Sequence, residues 1–524
     1  MVNTQLFHTA KGALLPAATA RNQAGAPAYA LSPRHQLAQL AATGCLNSTF
    51  YADAEAQLDQ MLALAQSVDA EFVAKTAIYA RQAHMKDMPV LLASQLAVRD
   101  VALLAGVFGR VVDNGKTLRG IVQMLRSGQF GRKSLGTRPK KLVQQWLLSA
   151  TEQQLLNAAV GTTPSLADVV KMVHPKPAEA WRAAWFAWLI GRPFDAAALP
   201  PLTAAFERFK HELAEGKTPA EVPAVPFQLL TALPLKTEHW AQIARDGSWQ
   251  MVRQNLNTFA RQGVFGVKGM ETVVADKLRD PEAVRRARVL PFQLLSAYKA
   301  AGNEVPAAVR EALQDALDVA LANVPAFEGR VVVCPDVSGS MSSAVTGQRG
   351  SATSTVRCID VAALVAAAIC AKNRQARVLP FEQSVVSLRL NPRDSVLTQA
   401  QALAAIGGGG TNCSAPLALL NREGAEVDVV ILVSDNESWV DANRRGATQT
   451  MQEWEQLKRR NPRARLICLD LQPYATTQAA ERADIMNVGG FSDAVFTMMA
   501  RFAAGQTGAE HWVGEIDKIA LDPQ

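Results

Sequence analysis

The sequence predicts two domains of different fold class, an all-α helical-repeat module over residues 1–325 and an α/β domain with a doubly wound parallel sheet over residues 326–524. The chain has 524 residues, which is more than one hydrophobic core usually holds. Before Pro325 apolar residues recur at helical spacing, and after it short apolar runs alternate with helical stretches. These observations place the predicted domain boundary near Pro325.

The predicted first domain is a succession of helices. Apolar residues recur every three or four positions in DAEAQLDQMLALAQSV, DAEFVAKTAIYARQAH, MPVLLASQLAVRDVALLAGVFGRVV, KKLVQQWLLSATEQQLLNAAV and AEAWRAAWFAWLIG. The segments VPFQLLTALPL, from Val225, and LPFQLLSAYKA, from Leu290, are similar, and MPVLLASQLAV, from Met88, is a looser version. This repetition favours stacked helical hairpins with an elongated concave surface, and a compact all-α bundle is the alternative.

The predicted second domain alternates strands and helices. The predicted strands are RVVVCPD, ARVLPFEQ, VVSLRL, VDVVILVSD and RLICLDLQ. The predicted helices are IDVAALVAAAICAKN, SVLTQAQALAAI, SAPLALLNREG, ATQTMQEWEQLKRRN and FSDAVFTMMARFAAG. Strands that are apolar throughout indicate a mostly parallel sheet covered by helices on both faces. In such a sheet, ligands bind at the carboxyl ends of the strands, near the point where the strand order reverses.

Charge is unevenly distributed between the two predicted domains. Of the net charge of +7, residues 1–325 carry +9 and residues 326–524 carry −2. Residues 110–141 contain nine Lys or Arg and one acidic residue. A cluster of one sign predicts a surface that faces a polyanion. A solvated helix face is the alternative, although such faces usually mix both signs.

Two carboxylates and three hydroxyls are expected at the carboxyl edge of the predicted sheet. Asp336 ends the strand RVVVCPD, and Ser338 and Ser340 lie in the loop that follows. Thr411 follows four glycines, and Asp435 ends the strand VDVVILVSD. Hard oxygen ligands of this kind favour magnesium, manganese or calcium. The alternative is that the serines cap a turn and that Asp435 caps a strand end.

These residues resemble the metal-ion-dependent adhesion site of the von Willebrand factor A domain, in which D-x-S-x-S is followed by Thr and then by Asp. The resemblance implies that Asp336, Ser338, Ser340, Thr411 and Asp435 hold a divalent cation, directly or through water. It also implies that the cation keeps one position open for an acidic group of a protein ligand. Such a site binds a partner and does not catalyse a reaction.

The first domain resembles the TROVE module of the Ro ribonucleoprotein autoantigen family, on KTAIYARQAHMKDMPVLLASQLAV, KKLVQQWL, VVKMVHPKP, VPFQLLTALPL and RRARVLPFQLLSAY. In that family the module precedes a von Willebrand factor A domain, as here, and we expect a bacterial member. The resemblance implies a HEAT-like ring that binds noncoding Y RNA and single-stranded 3′ ends of misfolded RNA. Bacterial members are associated with exoribonucleases such as polynucleotide phosphorylase, which implies a role in RNA quality control, decay or maturation.

Both the charge and the resemblance select candidate RNA-binding residues. Those expected to contact RNA are Lys116, Arg119, Arg132, Lys133, Arg138, Lys140, Lys141, Lys171, His174, Lys176, Arg253 and Arg261. A structural role is the alternative for His174, and a plain surface position is the alternative for Arg253 and Arg261. Between Leu142 and Val170 the chain has no Lys or Arg, whereas animal members carry a basic segment there. The four tryptophans Trp146, Trp181, Trp185 and Trp188 have helical spacing and are expected mostly in the core.

Other patterns argue against an enzyme, an exported protein and a membrane protein. The sequence has no G-x-x-x-x-G-K-[ST], H-E-x-x-H or G-x-S-x-G motif. It has no C-x-x-C pair among its six cysteines, no long apolar run and no export signal, so we expect a cytoplasmic protein. The charge distribution and the resemblance favour an RNA-binding protein, and a metal-dependent protein-interaction scaffold without RNA binding is the alternative.

Overall fold

The computed structural model describes residues 15–43, 54–131, 133–287, 289, 291–321, 324–345, 356–391, 393–439, 447–472, 474–490, 493–506 and 511–521. The chain divides into two compact units. The first, here called the sheet unit, comprises the described parts of residues 1–64 and 323–518. The second, here called the helical unit, comprises those of residues 65–322 and 519–524. None of the described helices has both the length and the apolar composition needed to cross a membrane.

Between residues 65 and 321 the regular structure of the described residues is helical. The chain begins with β1 Ala20–Arg21, β2 Pro27–Ala30 and α1 Pro33–Thr43. Then follow α2 Ala54–Ser67, α3 Ala70–Gln82, α4 Met88–Arg99, α5 Val101–Val111, α6 Gly115–Arg126, α7 Thr137–Ser149, α8 Glu152–Ala159, α9 Leu166–Val173, α10 Ala180–Leu189, α11 Pro201–Ala214, α12 Phe227–Leu230, α13 Thr237–Asp246, α14 Trp249–Gln254, α15 Leu256–Arg261, α16 Met270–Arg279, α17 Pro281–Ala287, α18 Pro291–Ala300 and α19 Ala307–Ala320. The predicted all-α character of this region is confirmed.

Two of the predicted helical stretches are each divided into two helices by a capping residue. Asp100 separates α4 from α5, and its carboxylate accepts hydrogen bonds from the amides of Ala102 and Leu103. Thr151 separates α7 from α8 and forms a capping box with Gln154. Each cap accepts hydrogen bonds from backbone amides that have no partner at the start of a helix. The free-energy cost of starting a new helix at these points is therefore small. Apolar spacing alone did not predict these breaks.

The sheet unit contains a parallel sheet, as predicted. Its later elements are β3 Val331–Pro335, α20 Cys358–Lys372, β4 Arg377–Val378, α21 Val396–Ala404, α22 Ala415–Arg422, β5 Val429–Ser434, α23 Gln449–Arg460, β6 Arg465–Asp470, β7 Thr476–Thr477, β8 Ile485–Gly489, α24 Asp493–Ala503 and α25 His511–Asp517. The strands are ordered β4-β3-β5-β6-β8, and every neighbouring pair is parallel. The order reverses at β3, which β4 and β5 flank, so a ligand is expected at the carboxyl ends of β3 and β5.

The segment VVSLRL, residues 385–390, is not a strand, and that prediction was wrong. The chain turns back after Phe381, where Val385 forms an isolated antiparallel bridge to Phe381 and the amide of Val386 donates to the carbonyl of Pro380 at 2.7 Å. This local turn uses the backbone groups that a further strand would need. Conversely, β8 was not predicted, although all five of its residues are buried.

Residues 20–43 belong to the sheet unit, whereas we predicted one module over residues 1–325. Strand β2 pairs antiparallel with β7, with Tyr29 opposite Thr477. Tyr29 is buried in the core of the sheet unit together with Trp454 and Leu466. On α1, Gln39 donates from Nε2 to Oδ2 of Asp470 at 2.6 Å. The burial of apolar surface and these hydrogen bonds hold this segment to the sheet unit.

The packing of Tyr29 can be tested by substitution. Tyr29→Ala removes a buried ring, so we expect the free energy of unfolding to fall by about 3–5 kcal/mol. Tyr29→Phe keeps the ring and loses the hydroxyl, which donates to the carbonyl of Pro16 at 2.8 Å and is also hydrogen-bonded to Thr448, so a loss of about 1–2 kcal/mol is expected. Urea unfolding followed by circular dichroism measures both. Equal stability of the two variants would show that the segment does not belong to this core.

Candidate metal centre and basic surface

The carboxyl edge of the sheet brings together the two predicted carboxylates. Asp336 directly follows β3, and Asp435 directly follows β5. The two strands are adjacent and in register, with Pro335 opposite Val433. The amide of Asp336 donates to the carbonyl of Val433 at 2.9 Å, which fixes the start of the loop. Both carboxylates are almost fully buried, since Asp336 is 0% and Asp435 2% exposed.

The three predicted hydroxyls lie in the same cluster. Oγ of Ser338 is 3.3 Å from Oγ of Ser340, and Oγ1 of Thr411 donates to Oγ of Ser338 at 2.8 Å. The amide of Ser338 donates to Oδ1 of Asp336 at 2.9 Å, and the side chain of Ser340 is hydrogen-bonded to Asp435. All five predicted side chains therefore meet at one place. That they bind a cation stays a prediction.

The four glycines before Thr411 allow the two loops to approach closely. The amide of Gly339 donates to the carbonyl of Gly409 at 2.9 Å, and the amide of Gly408 donates to the carbonyl of Val337 at 3.2 Å. A Cβ on Gly339 would lie 2.9 Å from the carbonyl oxygen of Gly408, which is too close for an ordinary contact. Gly408 also has φ +148°, which L residues rarely adopt. The glycines thus place the Thr411 hydroxyl against the serines.

Electrostatics explains why this cluster suits a cation. Burial, and then the negative charge of Asp435, raise the pKa of Asp336, and burial also raises the pKa of Asp435. Two carboxylates that lack a cationic partner are expensive to bury in their charged forms. A bound divalent cation would remove that cost, because it supplies the missing positive charge.

The donor set fits a hard cation. Among the described residues there is no group of three or more His, Cys, Asp or Glu side chains placed to hold a metal ion. Two carboxylates and three hydroxyls are all oxygen donors, which magnesium, manganese and calcium prefer and which zinc does not require. None of the cysteines Cys334, Cys358, Cys370, Cys413 and Cys468 forms a disulfide with another described residue. If a cation binds, Asp336 and Asp435 would supply its charge compensation and the hydroxyls its neutral ligands.

Sequence reasoning missed several polar residues beside this cluster. Oγ of Ser434 donates to Oδ2 of Asp336 at 2.6 Å. Asp470, at the end of β6, is fully buried, and its Oδ1 has no hydrogen-bond partner in the described part of the chain. Burial, and then the charge of Asp435, raise the pKa of Glu437 to about 8. The strand-end rule that found Asp336 and Asp435 also applies to Asp470, because RLICLD is an apolar run that ends in an acid.

Most of the predicted basic residues lie at the surface of the helical unit. Those that are exposed are Lys116, Lys133, Arg138, Lys141, Lys171, His174 and Lys176, and Lys140 is half-buried. None of these eight forms an ion pair with a described residue. Of these charges, that of Lys171 interacts with the carboxylate of Asp168, and none of the eight is held in an ion pair with a described carboxylate. We call these eight residues the basic surface.

A hydrogen bond joins two parts of the basic surface. Nε2 of Gln144, on α7, donates to the carbonyl of Val173 at 2.6 Å and contacts that of His174 at 3.4 Å. Lys140 and Lys141 lie four and three residues before Gln144, so they occupy the adjacent turn of α7 on nearly the same side. The end of α9, with His174, is thereby held close to these lysines.

His174 also has a structural role, which was the alternative interpretation. It ends α9 in the left-handed conformation, with φ 52° and ψ 63°, and its amide donates to the carbonyl of Val170. Histidine is among the residues that adopt this conformation more readily than most. Its side chain is exposed, so the backbone role leaves the imidazole available to a ligand.

The structure places two predicted RNA-binding arginines in structural roles. Arg253 is 8% exposed, and its guanidinium donates to Gln250 and to the carbonyl of Gln293; burial lowers the pKa of Arg253 to about 10. Arg119 is half-buried and donates to the carbonyls of Val160 at 2.5 Å and Pro164 at 3.3 Å. Arg253 is unavailable to RNA, and Arg119 holds α6 to the loop after α8.

The remaining predicted positions differ in their surroundings. Arg261 is exposed and donates to Oγ1 of Thr258 at 3.3 Å, so it can reach a ligand. Arg132 lies outside the described residues. Arg126, which was not predicted, is exposed at the end of α6, the helix that begins near Lys116.

The tryptophans differ in their burial. Trp185 is fully buried, as expected, whereas Trp146, Trp181 and Trp188 are half-buried.

Cation binding should depend on Asp336. With Mg²⁺ at about 100 times its Kd, we expect the free energy of unfolding of the native chain to rise by about 2.7 kcal/mol. Asp336→Asn should abolish this rise, because it removes half of the negative charge of the cluster. The exposed carboxyl of Asp394 provides a matched control, Asp394→Asn. Thermal unfolding with and without Mg²⁺ measures the effect, and an unchanged rise in Asp336→Asn would contradict the assignment.

Cation affinity should also depend on pH. Because the pKa values of Asp336 and Asp435 are raised, protons compete with the cation at a pH well above 4, the ordinary carboxyl pKa. Mg²⁺ affinity should therefore increase as pH rises toward 8. Without cation, the folded chain holds protons that the unfolded chain has lost, so these groups make the free energy of unfolding fall as pH rises above about 4. Calorimetric titration across pH tests this, and a pH-independent affinity would contradict it.

Comparisons with known proteins show what this chain is similar to. Residues 330–503 match the family model described as the Ro60 vWA domain. The chain is 25% identical to the RNA-binding protein RO60 of Deinococcus radiodurans over 93% of this chain and 95% of that protein. It is 24% identical to the RNA-binding protein RO60 of Caenorhabditis elegans over 49% of this chain and 40% of that protein.

A solved structure shares the fold. The crystal structure of the Deinococcus radiodurans RO (RSR) protein superimposes with a TM-score of 0.62 at 21% identity, covering 91% of this chain and all of that chain. The match supports a helical region joined to a parallel-sheet domain. Together with the matched sheet domain and the likeness along nearly the whole chain, it shows that the protein is similar to the Ro60 proteins, with residues 330–503 corresponding to their von Willebrand factor A domain.

Proposed function

We propose that the protein binds noncoding RNA through the basic surface of the helical unit and holds a divalent cation in the sheet unit for attachment to a partner. The observation that carries the proposal is the set of exposed Lys, Arg and His side chains without an ion pair among the described residues. Exposed cationic side chains that are not held in ion pairs attract the phosphates of RNA. These contacts add to the affinity for RNA but do not depend on its base sequence. The relatives with the printed name RNA-binding protein RO60 support the same ligand class.

The finer RNA specificity is proposed by analogy with the family. The RNA ligands would be Y RNA and the single-stranded 3′ ends of structured or misfolded RNAs. The protein would act in RNA quality control, decay or maturation together with an exoribonuclease such as polynucleotide phosphorylase. It acts as a binding scaffold, since the two carboxylates and three hydroxyls of the metal cluster fit attachment better than hydrolysis, which usually needs more carboxylates to hold two ions.

A metal-dependent protein-interaction scaffold is the second candidate function. It is favoured by Trp439, a large apolar side chain that is 43% exposed and lies beside the metal cluster. The amide of Trp439 donates to the carbonyl of Thr411 at 3.3 Å, so the ring is held near the predicted metal ligands. Exposed tryptophans often anchor protein interfaces. An acidic group on the cation with an apolar contact to Trp439 would suit such a partner.

The basic surface can be tested with a charge-matched pair of variants. Lys140→Ala with Lys141→Ala should weaken binding of a structured RNA that carries a free 3′ tail by about tenfold, because two phosphate contacts are lost. The slope of log affinity against log salt concentration should fall by about 1–2. The control is Arg192→Ala with Arg208→Ala, which removes the same charge from exposed positions outside the basic surface. Electrophoretic mobility shift at several salt concentrations measures both.

The same experiment separates the two candidate functions. RNA binding that depends steeply on salt and does not change with EDTA supports the proposed function. An absence of RNA binding at low salt would leave the protein-interaction scaffold. Equal loss in both double variants would show that affinity follows net charge and does not depend on this surface.

A further inference from the structure

The helical unit contains a cavity of about 580 Å³ that the proposed function does not use. Its volume lies within the range of about 300–1,000 Å³ that is typical of small-molecule sites. The cavity lies between α8, the segment 222–228, and helices α13 and α14. Pro223 and Pro226 precede α12, a helix of four residues that begins directly after Pro226, so the chain before it is not helical and forms an irregular wall.

Amide side chains supply most of the polar groups in the lining of the cavity, beside a larger number of apolar residues. The amides are Gln153, Asn157, Gln228, Gln242, Gln250, Gln254 and Asn255. Asp246 is the only charged residue among those that line it, so the cavity offers no cation for a phosphate. Amides both donate and accept hydrogen bonds, which suits the edge of a nucleobase. A neutral, polar, flat group fits this lining better than an anionic one.

Several of these amides are available to a ligand. The side chains of Asn157, Gln228 and Gln254 make no hydrogen bond to a described residue. Oε1 of Gln242 accepts from the amide of Val222 at 3.1 Å, and Oε1 of Gln250 accepts from Nε of Arg253 at 3.0 Å. These two bonds orient both amides and leave their NH2 groups without an acceptor among the described residues.

Apolar groups complete the lining. Phe227 contacts Trp240 and Phe259 edge-on, at ring-centroid distances of 5.8 and 6.4 Å, and these contacts hold its half-buried ring at the cavity. Met251 also lines the cavity. Aromatic rings and soft sulfur atoms make favourable contacts with the faces of nucleobases.

The cavity adjoins the basic surface. Helix α6 begins at Gly115, where a Cβ would lie only 2.2 Å from Cα of Ala158, so α6 and α8 touch at this point. Lys116 is the next residue on α6, and Asn157, which lines the cavity, precedes Ala158 on α8. A nucleotide could therefore place its phosphate toward Lys116 and its base among the amides.

From this arrangement we infer that the cavity is a nucleobase-binding site, which holds an unstacked base of single-stranded RNA. The inference rests on the proposed RNA-binding function and adds to it a site for a base. The base inserts between the amides and Phe227 while the phosphates of the chain remain outside on the basic surface. Single-stranded RNA suits such a site, since its bases can be splayed out without breaking a duplex.

The experiment compares two fluorescent probes by anisotropy, an oligoadenylate of about ten nucleotides and an abasic ribose-phosphate chain of the same length. Both carry the same phosphates, and only the first carries bases. The native chain should bind the oligoadenylate about tenfold more tightly than the abasic chain, which is a typical effect of holding one base. Gln228→Ala with Gln254→Ala should reduce this ratio to about 2 or less and leave the affinity for the abasic chain unchanged.

Two further variants complete the test. Gln383→Ala with Gln401→Ala changes exposed glutamines of the sheet unit and should keep the full ratio. Ala224→Trp, at an exposed position of the lining, should fill the cavity and also remove the preference for bases.

The outcomes distinguish this inference from the proposed function. A ratio near 1 in the native chain, or a full ratio retained in both cavity variants, would overturn the nucleobase site and leave RNA binding intact. Failure of the native chain to bind either probe at low salt would overturn the proposed function, and the nucleobase site with it.

Discussion

The parallel register of β3, β5 and β6 is the constraint on which the sheet unit depends. Because these strands run in the same direction and in register, the acids that end them, Asp336, Asp435 and Asp470, reach the same edge of the sheet. All three are buried, and burial raises the pKa of each. A fold that gathers carboxylates in this way must keep protons on them or supply a cation. The glycine loop and the hydroxyls provide the geometry for the second solution.

The helical unit presents the opposite electrostatic situation. The cations of the basic surface form no ion pair with described carboxylates. The buried Arg182 and Arg253 instead donate to backbone carbonyls, and Arg182 also pairs with Glu179. These buried guanidinium groups stabilise the fold, and the cations of the basic surface remain available to a ligand. The cavity beside α8, whose lining includes one acid, Asp246, lies next to this positive surface. Under the proposed function, phosphate affinity and base contact would come from separate, adjacent groups.

Much of the strand-end cluster of carboxylates and hydroxyls could be predicted from the sequence because its chemistry follows local patterns. Asp336 and Asp435 each end an apolar run that is too short for a helix. The four glycines before Thr411 predict a loop whose backbone can pack closely against a neighbouring group. The contribution of residues 20–43 could not be predicted in this way. Strands β1 and β2 have two and four residues, and β2 pairs with Thr476–Thr477, which are distant in sequence. Local periodicity carries no information on such long-range pairing.

The same reasoning explains the errors among the RNA-binding residues. Arg253 lies on α14, a helix of six residues, and so short a helix has no apolar repeat that identifies its buried face. Arg119 was predicted to contact RNA because it lies among basic residues in the sequence. Such clustering does not show which side of α6 contacts the loop after α8. The cavity had no sequence signal, since its lining comes from four separate segments and, apart from Asp246, from uncharged residues.

The central claim, that the strand-end oxygens form a divalent-cation site, is tested most directly by the anomalous diffraction of a crystal soaked with Mn²⁺. The account predicts one strong anomalous peak within about 2–2.5 Å of oxygens from Asp336, Ser338, Ser340, Thr411 or Asp435, with the remaining ligands being water. A map without a peak at this edge of the sheet, or with its strongest peak elsewhere, would contradict the account.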